Sequence, residues 1–144
     1  MVTTQEEPQE PLGASVLIVN SKGEYLLHLR DNIDGIWAPG TWSLLGGEPE
    51  DGECPEETVA REVMEEVGLS LEFHRLMVGD VHAPQGKPGK VVVFWARWDG
   101  DAHALPLTEG IMLHWFPGTV IPRLVTDPGL AEAIATYEAV HTRP

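Results

Sequence analysis

Residues 47–69 read GEPEDGECPEETVAREVMEEVGL. Within this stretch, Glu56 to Val67 carries the pattern of a helix. Pro55 suits a first helical turn, where its missing N–H costs nothing, and Gly68 suits the position just past the end. At ~100° per residue, Val59, Val63, Val67, Ala60 and Met64 fall on one arc of roughly 140°. Glu62, Glu65 and Glu66 fall on the opposite side, within about 100°. The spacing predicts an amphipathic helix with an apolar face for a core and a concentrated acidic face.

An acidic helix face is ordinarily solvated surface, but two features set this one apart. Carboxylates at i, i+3 and i+4 are neighbours and repel by roughly 0.2–0.5 kcal/mol per pair. Glu66 also stands next to the helix C-terminus, where negative charge meets the negative end of the dipole. The arrangement is coherent if a cation sits among the carboxylates. Hard oxygen ligands suit Mg²⁺ or Mn²⁺. With no His or Cys at ligand spacing, zinc is not expected. Just ahead, Leu44-Leu45-Gly46-Gly47 leads from a short apolar run into paired glycines. Alone this is an ordinary turn. Placed before an acidic helix, it lets the backbone come close to a ligand and offer a carbonyl to the same ion.

The fixed points of residues 47–69 are Gly47, Glu53, Arg61, Glu62, Val63, Glu65, Glu66, Gly68 and Leu69. They match at every position the Nudix hydrolase signature, G-x5-E-x7-R-E-U-x-E-E-x-G-U with U aliphatic. The probability of a chance match in a chain of this length is on the order of one in a million or less at average residue usage. The resemblance implies an α/β fold, an α/β/α sandwich with a mixed β-sheet between helices. It also implies a loop–helix–loop that binds divalent metal and the diphosphate of a nucleoside diphosphate derivative. Carried over residue by residue, Glu62, Glu65 and Glu66 would be metal ligands, with the Gly46 carbonyl as a further one. Glu53 would lie near the metal directly or through water, and Gly47 would lie against the substrate. Arg61 would hold the glutamates by charge-assisted bonds; its plain alternative is an exposed pair with Glu57 or Glu65. The chemistry implied is attack of water on phosphorus with cleavage of a P–O–P link. Glu109, in the loop Leu107-Thr108-Glu109-Gly110, is the candidate general base or extra ligand. Many family members have Pro-Gly-Gly where this chain has Leu45-Gly46-Gly47, which leaves the subfamily open.

Outside the signature the elements alternate. Ala14–Val19 and Glu24–Arg30 read as strands joined by the turn Asn20-Ser21-Lys22-Gly23. Asp31–Gly40 reads as a loop, Trp42–Leu45 as a short strand, and Leu69–Val78, Val91–Trp98 and Ile111–Phe116 as further strands. A Pro/Gly-rich loop, His82–Lys90, separates two of them. Asp127-Pro128 looks like the cap and first position of a last helix running to about Ala139. Residues 1–11 are expected to be a disordered acidic tail, and residues 12–144 one domain. The chain has one cysteine, Cys54, which rules out an internal disulfide and fits a cytoplasmic setting. Cys54 lacks a paired His and is not read as a nucleophile. There is no apolar stretch of signal-peptide or membrane length, so no membrane partner is expected. A homodimer is expected only by analogy with the family.

The chain carries 9 basic and 23 acidic residues, a net charge of −14. Such a balance disfavours nucleic acid, whose binding relies on many Lys and Arg contacts to phosphate. A small-molecule nucleotide substrate fits better, because metal ions can enter with it. Arg30 could reach a phosphate, and Trp37, Trp42 or Phe94 could stack on a base; the plain alternatives are a surface charge and core packing. The six histidines show no ligand or triad spacing and read as surface or packing residues. Two other classes compete with a hydrolase. One is a catalytically silent Nudix-like sensor of a nucleotide ligand, although such domains often lose the glutamates kept here. The other is an isoprenoid diphosphate isomerase, for which Cys54 is poorly placed.

Overall fold

The computed structural model describes residues 13–82 and 88–141. The expected tail, residues 1–11, lies outside them. Seven strands of the described residues form one sheet: β1 Gly13–Val19, β2 Glu24–Leu29, β3 Trp42–Ser43, β4 Leu45–Gly47, β5 His74–His82, β6 Pro88–Arg97 and β7 Met112–Pro117. The main path runs β3-β2-β1-β6-β5, with β4 on β1 and β7 on β2. β1 and β6 run parallel, from Gly13 opposite Val91 to Val19 opposite Arg97. The other pairings are antiparallel. The sheet is therefore mixed.

Side-chain alternation along β1 decides the two layers. Ala14, Val16 and Ile18 join Val59, Val63 and Val67 of helix α1 (Pro55–Val67) in one core. Leu17 and Val19 join Leu130, Ile134 and Tyr137 of helix α2 (Leu130–His141) in another, on the opposite face. A central strand buried on both faces reads as the unbroken apolar run Val16–Val19. The α/β/α sandwich expected from the sequence is the one observed. No helix among the described residues is long and apolar enough to cross a membrane.

Helix α1 begins and ends where Pro55 and Gly68 place it, with Gly68 at φ 73° accepting the left-handed turn and donating its N–H to Met64 O. Cys54 caps the start: its N–H donates to Glu57 Oε1 at 3.0 Å. The apolar face is narrower than the periodicity predicts, because Ala60 and Met64 are exposed. Thr58 takes a buried place beside the valines.

Most strand ends lie within one residue of expectation, and three spans differ by more. Trp42–Leu45 is two strands broken at Leu44. Trp42–Ser43 pairs with β2, and the chain then shifts partner so that Leu45, Gly46 and Gly47 pair with Val16, Ser15 and Ala14 of β1. One edge of β1 is thus shared, with β2 at its far end and β4 at its near end. Leu69–Phe73 is not a strand. Its alternating Leu69, Leu71 and Phe73 pack against the α1-side core without a ladder partner, and β5 starts at His74. The expected loop His82–Lys90 is partly hairpin, with Asp80, Val81 and His82 opposite Lys90, Gly89 and Pro88; its residues 83–87 lie outside the described residues. At the C-terminal end, α2 starts at Leu130, two residues beyond the expected first position, and runs to His141.

Candidate active site

The close approach of β4 to α1 builds the site. Gly47 lies so near Glu62 that a Cβ there would collide with the Glu62 carboxylate. Gly46 crosses β1 so closely that a Cβ would collide with the Ala14 carbonyl and stand 2.6 Å from Ser15 Cα. These contacts explain the paired glycines better than a turn would. They bring a backbone segment and the acidic helix face together on one side of a cavity of about 510 Å³. Its lining includes Arg30, Trp37, Gly46, Gly47, Glu62, Glu66, Glu109 and Asp127.

Arg61 is the hub of the acidic cluster. Its Nε donates to Glu53 Oε2 at 2.6 Å and its Nη2 to Glu53 Oε1 at 3.0 Å, a bidentate pair. Nη1 donates to Glu62 Oε2 at 3.1 Å and to Glu65 Oε1 at 3.2 Å, and Nη2 also to Glu48 O at 3.0 Å. The exposed i, i+4 pair with Glu65 is only one corner of this network. Glu53 is equally committed. Besides Arg61 it accepts from the Glu50 amide and the Thr58 hydroxyl, each at 2.9 Å. These contacts match in number the acceptor capacity of a carboxylate. Three of them fall on Oε1 and one on Oε2, so Oε1 is fully taken and a cation or its water would meet Glu53 at Oε2.

The Arg61 guanidinium, and then the Glu50 amide, hold the Glu53 carboxyl well below the usual range, at about 2. Its folded value thus lies below the unfolded value of roughly 4.3. Glu53 therefore adds stability above the unfolded value, and this is lost as pH falls toward about 2. Arg61→Met should remove that contribution and move the onset of acid unfolding to higher pH. Far-UV circular dichroism between pH 1.5 and 6 checks this, and superimposable curves for the two proteins would contradict it.

Glu66 is the opposite case. It is half-buried, its Oε1 is buried with no hydrogen-bond partner, and its carboxyl is pushed up to about 8. Burial is the main cause, followed by the charge of Glu62 and a hydrogen bond to it, then the charge of Glu109. A buried carboxylate oxygen left unsatisfied is costly unless something binds it. Among the described residues no three His, Cys, Asp or Glu side chains form a ready metal-holding group. The fit to a dication rests instead on Glu66 and Glu62 side by side at the cavity, with the β4 backbone against them. Such an all-oxygen donor set suits a hard cation that keeps part of its water. Glu65 is 57% exposed, bound to Arg61 and absent from the cavity lining.

The remaining expected residues divide. Arg30 lines the cavity, with its Nε on the Trp37 carbonyl at 2.7 Å and its guanidinium carbon 5.5 Å from the Trp37 ring centre. Glu109 lines it as well. Phe94 does not, because alternation along β6 turns it into the α1-side core, where it is fully buried against Phe73. It has no face open to a base. Trp42 is likewise packed edge-on against Phe116 at 4.8 Å, in the α2-side core. Among the described residues the aromatic that lines the cavity is Trp37.

Two residues take places at the site that the sequence does not assign them: Asp127, read there only as a helix cap, and His28. Asp127 caps the approach to α2, accepting from the Gly129 amide at 2.8 Å, but it also lines the cavity. Burial raises its carboxyl above the usual range. His28 is buried in β2, and its Nε2 lies 2.9 Å from Glu109 O. Burial lowers its pKa, partly offset by that hydrogen bond. The available signal for His28 was a polar residue in the otherwise apolar run Tyr25–Leu29.

The NUDIX domain family matches residues 9–137. Nucleoside triphosphatase NudI of Enterobacter sp. (strain 638) is 44% identical over 56 residues, covering 39% of each chain. The NAD-capped RNA hydrolase NudC of Escherichia coli O1:K1 is 33% identical over 110 residues, covering 69% of this chain and 41% of NudC. The chain spans about two fifths of the length of these two curated relatives. The crystal structure of the MutT protein from Methanosarcina mazei Go1 superposes with a TM-score of 0.78 at 25% identity, over 95% of this chain and 100% of that one. A domain match across most of the sequence, on a sandwich whose signature helix sets its glutamates against paired glycines, makes this chain a member of the Nudix family.

Proposed function

We propose that the chain is a Mg²⁺- or Mn²⁺-dependent diphosphohydrolase of small nucleoside diphosphate derivatives. Nucleoside triphosphates, nucleotide sugars or ADP-ribose, and dinucleoside polyphosphates are the candidate substrates. The observation that carries this reading is the unpartnered, buried Glu66 Oε1 beside Glu62 at an open cavity. Glu62, Glu66 and the Gly46 carbonyl would hold the cation, with Glu65 and a water-mediated Glu53 behind them. When bound, the metal shields phosphate charge and lowers the pKa of coordinated water.

The chain's own residues do the rest. Arg61 keeps Glu62 in place through its Nη1 bond. Arg30, anchored on Trp37 O, offers its guanidinium fork to a phosphate. Trp37 gives the base a face to stack on, and Glu109 accepts the proton of the attacking water. Trp37→Ala is expected to raise KM on the order of 10-fold, the scale of one base–aromatic stack. kcat should be nearly unchanged; equal KM values for the two proteins would remove Trp37 from the substrate site.

A substrate panel with Mg²⁺ and with Mn²⁺, run in ¹⁸O-labelled water with products identified by mass, tests the reading. The expected result is one incorporated ¹⁸O on a phosphate product, dependent on metal. Metal-independent or absent turnover across the panel would overturn it. Tight nucleotide binding without product would instead favour the ligand-sensor reading. NAD-capped RNA belongs in the panel because NudC is named for it, although the net charge of −14 argues for the small substrates.

A further inference from the structure

We propose that His28 is a positioning residue, whose imidazole fixes the backbone of Glu109 so that this side chain faces Glu62 and Glu66. The inference rests on the reading of Glu109 as the general base and assigns what holds that base in place.

The segment around Glu109 has no regular secondary structure, and Glu109 itself is exposed. A loop of this kind would ordinarily hold a carboxylate poorly. Here it is tethered on both sides. Toward α1, the Thr108 amide donates to Glu66 O at 3.3 Å. Toward β2, the Ile111 amide donates to Leu29 O at 2.8 Å, and the Gly110 amide donates to Asp31 Oδ2 at 3.3 Å. At the centre, His28 Nε2 meets Glu109 O at 2.9 Å. A carbonyl only accepts, so Nε2 carries the hydrogen.

His28 differs from the other tethers in being a buried side chain, 6% exposed, on a central strand. Its ring is enclosed by its surroundings, and its backbone is held in β2, which pairs with β1, β3 and β7. The loop lies directly on the ring. Gly110 adopts φ 87°, and a Cβ there would collide with His28 Nε2 and stand 2.8 Å from Cε1. Both the hydrogen bond and the absence of a side chain at 110 therefore set the distance between loop and sheet. Catalysis by a general base depends on holding the carboxylate within hydrogen-bond reach of the water. Displacement by about 1 Å can cost on the order of 10²-fold.

A double-mutant cycle separates this role from simple core packing. His28→Gln places an amide N–H near the Nε2 position; His28→Leu fills the space without a donor; His28→Asn keeps polarity but is too short to reach Glu109 O. Each is made alone and with Glu109→Gln, and kcat, KM and Tm are measured. The expected result is that His28→Leu and His28→Asn lower kcat on the order of 10-fold or more with KM little changed. His28→Gln should retain most of kcat, and none of the three should lower kcat further once Glu109 is Gln. If the losses multiply with that of Glu109→Gln, or follow Tm rather than donor reach, His28 is a packing residue and the inference falls. If Glu109→Gln alone keeps the wild-type kcat, the general-base reading falls and this inference with it. The single and double variants thus fail in distinguishable ways. Should His28→Leu not fold, the Asn and Gln pair decides the matter.

Discussion

Replacing Glu66 with Gln should lower kcat by on the order of 10³-fold while leaving the fold intact. A catalytic metal supplies several kcal/mol of transition-state stabilisation, and each 1.36 kcal/mol is tenfold in rate. Gln keeps the shape of the side chain but loses the charge with which Glu66 would hold the proposed dication. The same change has a second, opposite signature. In the metal-free protein the Glu66 carboxyl is raised to about 8, first by burial and then by Glu62. A carboxyl whose folded value lies above its unfolded value of roughly 4.3 disfavours folding increasingly as pH rises between the two. Glu66→Gln removes that penalty. Without metal the variant should therefore melt higher than the parent near pH 8, and the two should converge below pH 4. With Mg²⁺ added, the parent should gain stability and the variant should gain little. Calorimetric melting with and without metal, beside kcat, reads all of this. Wild-type turnover by the variant would remove Glu66 from the metal site.

Gly46→Ala should be the most damaging small substitution for stability. The Cβ would collide with the Ala14 carbonyl oxygen and lie 2.6 Å from Ser15 Cα, both main-chain atoms that no rotamer change can move. Gly46 also sits opposite Ser15 in the β1–β4 ladder, so relief requires opening that pairing. Strain and overpacking of this kind cost roughly 3 kcal/mol, which corresponds to a fall in Tm of about 10 °C for a domain of this size. Activity should fall even well below the new Tm, because the Gly46 carbonyl would be displaced from the position in which it is proposed to hold the cation. A variant that melts with the parent would show that β4 is looser than its contacts with β1 imply.

The signature helix was legible because its determinants are local. Pro55 and Gly68 fix its ends, and the valine spacing fixes its buried side, with no help from distant residues. The same holds for the turn at Asn20–Gly23, where the Asn20 side chain accepts from the Lys22 and Glu24 amides. What the sequence hid is long-range. Trp42–Leu45 splits because β1 and β2 diverge and each claims part of it. Phe94 and Trp37 look alike as aromatic candidates, yet strand alternation buries one and loop geometry leaves the other at the cavity. Asp127 reads as a cap from its neighbours, and only α2 packing beside the cavity gives it a second surface. Glu53 and Glu66 are both signature carboxylates. Their opposite electrostatics come from Arg61 and Thr58 on one side and a dry, anionic wall on the other.

The parallel pairing of β1 with β6 also bears on how the protein is born. Residues 13–19 leave the ribosome well before their parallel partners at 91–97, and β2 well before its β7 partners at 112–117. Until then the apolar run of β1 has one bare edge, a hazard for sticking to neighbouring chains. Contacts of such sequence separation slow closure. The glutamate helix can therefore coil well before the sheet beneath it is whole, and the wall it faces takes shape only once β6 and β7 have followed it.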